Sequence, residues 1–193
     1  IKLADPSVEL LGMGGAASRA AGVDIKLDIT SYSTVGLFEP IKYLPKLLAA
    51  MKQWVKLIKE EKPDIIIPID AQGFHMRVLK QIKDLNIPSV YYISPQEWQW
   101  GTEKNGKKVI DIVSKICAIF PEEADFYNRL GGDATYVGHP TIDQVNSNLC
   151  SKETLNIEID NVENKPIFSI FPGSRQHEIQ RLLPIFCEVG EYF

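Results

Sequence analysis

The chain has 193 residues, long enough for one sizeable domain or one and a part. Apolar residues make up 45% and charged residues 24%, ordinary for a globular protein, and the net charge of −4 carries no basic field that would argue for nucleic acid. Cys117, Cys150 and Cys187 are too few and too scattered for a disulfide framework or a zinc site, which suits a reducing, cytoplasmic setting. No apolar run approaches the roughly 20 residues of a membrane span, and no signal peptide is visible. Ile1 rather than Met stands first, as in a fragment or a processed product.

In chain order, Val8–Leu11 reads as a strand running into Gly12-Met13-Gly14-Gly15-Ala16-Ala17. This fits G-x-G-x-x-A, but only Ala16–Gly22 remains for a helix before the next strand at Ile25–Ile29, and Asp28 arrives too early to bind a ribose. The pattern therefore predicts a tight glycine turn near a ligand rather than a dinucleotide site. From Ile41 to Ile58 the apolar residues fall at steps of three and four, an amphipathic helix with Pro40 and Pro45 near its start and lysines on the other faces. It packs on a sheet with a solvated basic side; alternatively, Leu37, Phe38 and this basic helix touch an anionic membrane surface.

Ile65, Ile66, Ile67 and Ile69 predict a strand covered on both faces of a parallel sheet. Asp70 follows at once. Ligands of open α/β sheets sit beyond the carboxyl ends of the strands, so Asp70 either faces a substrate there or caps the next helix or a turn. That helix runs from about Phe74 to Leu85 and stops at Asn86-Ile87-Pro88; Ser89–Ile93 is the next strand. The loop Ser94-Pro95-Gln96-Glu97-Trp98-Gln99-Trp100-Gly101 offers indoles and amides that suit a sugar or acyl chain, or two core tryptophans under a loop. Lys115–Phe120 predicts a strand, Pro121-Glu122-Glu123 a helix start with acids in its first turn, and Gly131-Gly132 its end. Thr135–Val137 is a short strand before Gly138-His139-Pro140, where His139 either donates to a ligand or is a structural loop residue. The three histidines lack metal-ligand spacing.

Ser147–Lys165 reads as a linker. Beyond it, Pro166–Phe171 predicts a strand that enters Pro172-Gly173-Ser174-Arg175 and a helix from Glu178. Strand, glycine turn, serine, arginine and helix N-terminus form a phosphate-binding arrangement or an ordinary strand-to-helix turn with a solvated arginine. The whole pattern is α/β: a Rossmann-like parallel sheet with helices on both faces.

Several segments, in order, resemble the lipid-A-disaccharide synthases, two-domain glycosyltransferases of the GT-B type. They are Gly12-Met13-Gly14-Gly15, Lys62-Pro63-Asp64 through Ile69-Asp70-Ala71, Tyr92-Ile93-Ser94-Pro95 with Trp98 and Trp100, Phe120-Pro121, Val137-Gly138-His139-Pro140, and Pro172-Gly173-Ser174-Arg175 with Glu178. Two departures stand out. No S-A-G-E-like loop follows Ile1, and the family's D-A-P-D-F-N is Asp70-Ala71-Gln72-Gly73-Phe74-His75 here.

The resemblance implies an acceptor domain over residues 1–146 that lacks its first strand, a linker over 147–165, and over 166–193 the start of a donor domain, most of which lies beyond Phe193. It implies an inverting hexosyltransferase that joins UDP-2,3-diacylglucosamine to 2,3-diacylglucosamine 1-phosphate, and a truncated chain inactive alone. Asp70 would be the general base. Gly173, Ser174, Arg175 and Glu178 would hold the donor diphosphate, and Gly14, Gln96, Trp98, Trp100 and His139 the acceptor, with no metal or other cofactor. The partners would be the two acylated sugars and a membrane surface, not nucleic acid. Two rivals remain: another GT-B sugar-nucleotide enzyme such as an epimerase, and a non-catalytic binding module.

Overall fold

The computed structural model describes residues 1–28, 40–147, 149, 151, 154, 165–174 and 176–192. It is α/β with parallel strands. Strand β1 (Leu11–Met13) pairs in parallel with β2 (Asp24–Leu27), and α1 (Ala16–Ala20) makes the crossover between them. The first strand begins three residues later than Val8, so Gly12 lies inside it, opposite Ile25, rather than in the turn.

Helix α2 (Pro40–Glu61) carries Met51, Val55 and Ile58 into the core and keeps its described lysines outward, as the periodicity requires. Pro45 sits inside this helix. Leu37 and Phe38, the apolar part of the membrane alternative, lie outside the described residues. No described helix is long and apolar enough to cross a membrane.

Strands β3 (Val90–Tyr92), β4 (Lys115–Ala118) and β5 (Ala134–Tyr136) form a second parallel sheet in that order. Between and after them run α4 (Glu97–Trp100), α5 (Glu103–Ile110), α6 (Pro121–Arg129) and α7 (Pro140–Ser147). Helix α3 (Gln72–Gln81) precedes β3 and gives Phe74, Val78 and Leu79 to the core, where they join Tyr91, Ile116, Ala118 and Tyr127.

The isoleucine run departs from its expectation. It lies parallel to β3 through bridges at Ile66–Ser89 and Ile69–Tyr92 only. The Ile66, Asp70, Val90 and Tyr92 amides all bond across this pair, but Pro68, midway, has no N–H to donate and leaves a gap. Nor is the run covered on both faces. Ile65, Ile67 and Ile69 are 47%, 39% and 53% exposed, because among the described residues β3 is its only strand partner.

Residues 165–174 contain no strand. Ile167, Phe168 and Phe171 are exposed, and no second strand among the described residues pairs with them, without which a strand has nothing to hold it. Helix α8 (Gln176–Gly190) follows, with Pro184 inside it. Most of Ser147–Lys165 lies outside the described residues.

Candidate active site

Asp70 ends the isoleucine run, at the carboxyl edge of the sheet. Its amide donates to the Tyr92 carbonyl at 3.0 Å, which continues the ladder with β3. Its own carbonyl accepts the Tyr91 hydroxyl at 2.7 Å. Asp70 and Ala71 both take left-handed backbone, with φ of 52° and 45°, and Ile93 at the end of β3 does the same at 56°. Such angles are costly for residues with a Cβ, most of all a β-branched one, and they gather where loops are held for function. The cap of α3 is Ala71, and no side chain bonds there, so Asp70 is not a helix cap. Its carboxylate is exposed and makes no hydrogen bond or ion pair with a described side chain.

Asp70 lines a cleft of about 530 Å³ with Gln72, Gln96, Glu97, Trp100 and Asn105. Three carboxamides, two carboxylates and one indole make a surface suited to hydroxyl-rich ligands, with an apolar face for a ring or chain. Gln72 donates to the Glu97 carboxylate and ties the loop after Asp70 to α4. Glu97 is 9% exposed, and its carboxylate fills the space that any side chain at Gly101 would need. A smaller cavity of about 270 Å³, between Leu79, Asn86, Ser89 and Ser114, lies at the amino ends of β3 and β4, the wrong edge for an α/β ligand site.

Beneath the cleft, Glu123 is 1% exposed. It accepts from the Ser94 hydroxyl at 2.7 Å and from the Ile119 amide at 2.8 Å, so one buried carboxylate fastens the loops after β3 and β4. The Tyr127 hydroxyl donates to the Pro95 carbonyl on the same loop. Burial pushes the hydroxyl pKa values of Tyr91 and Tyr127 up, the Asp70 charge adding to the first. Both therefore stay protonated donors across the physiological range.

The other expected acceptor residues fall in different places. Trp100 is 81% exposed on the cleft rim. Trp98 is half-buried against Phe120, with ring centroids 5.7 Å apart, and its indole N–H is buried without a partner among the described residues. Phe120 in turn lies 5.5 Å from His139, whose Nδ1 accepts from the Thr141 amide. Trp98, Phe120 and His139 follow β3, β4 and β5, so they form an aromatic row along the carboxyl edge. Gly14, at the end of β1, is not part of the cleft wall and gives its N–H to the Leu27 carbonyl.

At the expected phosphate turn, Gly173 has φ of 104° and stands so close to Glu178 that a Cβ would collide with that side chain. Glu178 accepts from the Ser174 amide at 3.2 Å. Arg175 lies outside the described residues. Among those described, no cluster of three or more His, Cys, Asp or Glu residues could hold a metal ion.

Comparison with known proteins decides the family. The family model described as lipid-A-disaccharide synthetase matches residues 1–191. The chain belongs to the lipid-A-disaccharide synthetase family. Curated lipid-A-disaccharide synthases are 35% identical in Myxococcus xanthus, 36% in Geobacter metallireducens and 33% in Coxiella burnetii, over 96%, 95% and 99% of this chain. The chain spans about half the length of these relatives, 48%, 47% and 50% respectively.

Sequence reasoning missed Gln72, Glu97, Asn105, Glu123 and Tyr91. Gln72 stands two residues after the expected base and Glu97 lies inside the quoted tryptophan loop, so position alone could have flagged both. Glu123 reads in the sequence only as a first-turn acid. Tyr91 looks like any strand aromatic.

Proposed function

We propose that this chain is the acceptor-binding part of an enzyme that forms the lipid A disaccharide. Residues 1–146 would bind 2,3-diacylglucosamine 1-phosphate and, past a linker over 147–165, residues 166–193 would begin the domain for UDP-2,3-diacylglucosamine. The acceptor 6-hydroxyl oxygen attacks the anomeric carbon of the donor, and the carbon–oxygen bond to UDP breaks with inversion. The hydroxyl proton passes to the Asp70 carboxylate and the bonding electrons leave with the diphosphate. Arg175, with the amides of its glycine turn, offsets the charge growing on the departing UDP. Trp100 and the carboxamides of the cleft hold the sugar, while the acyl chains keep the substrates, and hence the protein, at a membrane surface.

One observation carries this reading above all. An exposed carboxylate with no side-chain partner stands at the carboxyl end of a parallel sheet, in a polar cleft, within a chain of this family. The test is product formation by the complete protein from the two acylated sugars, with UDP and disaccharide expected in equal amounts. Release of UDP without disaccharide would contradict it. Arg175→Ala is expected to raise the donor KM or lower kcat by about 10-fold or more, as loss of one oxyanion donor does. An unchanged donor response would assign the arginine to structure.

A further inference from the structure

The Asp70 carboxylate has no side-chain brace among the described residues, so its backbone is what fixes the place of Asp70 in the cleft wall. That backbone is held in an unfavourable shape. Asp70 and Ala71 are both left-handed, and neither is glycine. Two contacts keep it there: the Asp70 amide on the Tyr92 carbonyl and the Asp70 carbonyl on the Tyr91 hydroxyl. The first belongs to the parallel ladder. The second comes from the Tyr91 side chain, whose ring meets the His75 imidazole edge to face, 6.3 Å apart at 88°. Tyr91 is wholly buried and reaches up from the core, 21 residues away in sequence.

We infer that Tyr91 is a positioning residue for Asp70, its buried hydroxyl holding the left-handed strand-end turn that sets Asp70 in the cleft wall. The inference rests on Asp70 acting as the base. A tyrosine hydroxyl has no apolar reason to sit in this core: phenylalanine would fill the same space. Its bond to a main-chain carbonyl is the feature that phenylalanine cannot supply, and that carbonyl belongs to the proposed base.

The experiment uses the complete enzyme with Tyr91→Phe, alone and combined with Ala71→Gly, and with aspartate and alanine labelled for NMR. Tyr91→Phe is expected to lower kcat by about 10-fold or more with both KM values within about 2-fold, as a small misplacement of a catalytic group does. The Cα and Cβ shifts of Asp70 and Ala71 should leave left-handed values. Glycine at position 71 adopts that conformation freely, so the double variant should recover most of kcat. A loss through core packing alone would not be rescued by a glycine in the turn, so an unrescued loss overturns the inference. Unchanged shifts, or shifted signals with wild-type kcat, overturn it too. If Asp70→Asn itself keeps full activity, the base assignment fails instead, and the shifts alone then decide whether Tyr91 holds the turn.

Discussion

At the scale of single residues, the energies around Asp70 are closely matched. Two non-glycine residues in left-handed backbone cost about 1–2 kcal/mol each, whereas one hydroxyl-to-carbonyl bond returns about 1 kcal/mol. Tyr91 therefore does not hold the turn unaided; the ladder bond to Tyr92 and the anchoring of Phe74, Val78 and Leu79 in the core share the task. His75 follows this turn, its amide bonded to the Ala71 carbonyl. Burial holds its imidazole below the ordinary histidine range, while the Asp70 charge and the Ile69 carbonyl oppose that shift less strongly. The folded state thus binds fewer protons at this site than the unfolded state. Its contribution to stability is complete above the unfolded value of about 6.5 and erodes as pH falls below it. An NMR titration of the complete protein should place the His75 midpoint below that value, and lower still in Asp70→Asn. A midpoint at or above it would contradict the burial argument.

Among the secondary-structure elements, Pro68 breaks one strand pairing and Glu123 fastens two strand ends. The apolar content of the isoleucine run predicts a covered strand, but Pro68 interrupts its pairing, and the run has one strand neighbour among the described residues. Exposed isoleucines follow from that, since a strand with one described neighbour cannot be covered like a central one. Helices with clear punctuation were legible: Pro121 begins α6, and Asn86-Ile87-Pro88 stops the turn after α3. Helix α5 is not among the elements the sequence predicts, although Thr102 caps it by accepting from the Asn105 amide at 3.2 Å. Glu123 shows the limit of local reasoning. Its place in the first turn was readable, but its hydrogen bonds to Ser94 and Ile119 join two separate strand ends. Glu123→Ala would leave both donors buried and unpaired. It should destabilise the protein by about 3 kcal/mol or more, seen as a lower urea midpoint at unchanged slope. A loss under about 1 kcal/mol would show that these loops are held some other way.

On the scale of the whole molecule, ordered motifs were more informative than any single one. Glycine turn, strand-end aspartate, tryptophan loop and Pro-Gly-Ser-Arg each fit many proteins; their succession along one chain is what the family match over 1–191 bears out. The α/β class was equally legible, because strands and helices alternate at short intervals. The geometry of the site was not. Asp70 meets Tyr91 across 21 positions, and Glu97 meets Gln72 across 25, and pairings of that length leave no local periodicity. The chain spans half of its relatives' length, so the reaction has to be measured on the complete protein. There, Asp70→Asn keeps the size of the side chain and removes its ability to take a proton. Turnover with both acylated sugars saturating should fall by about 10²-fold or more while both dissociation constants stay within about 2-fold. Wild-type turnover by that variant would contradict the account.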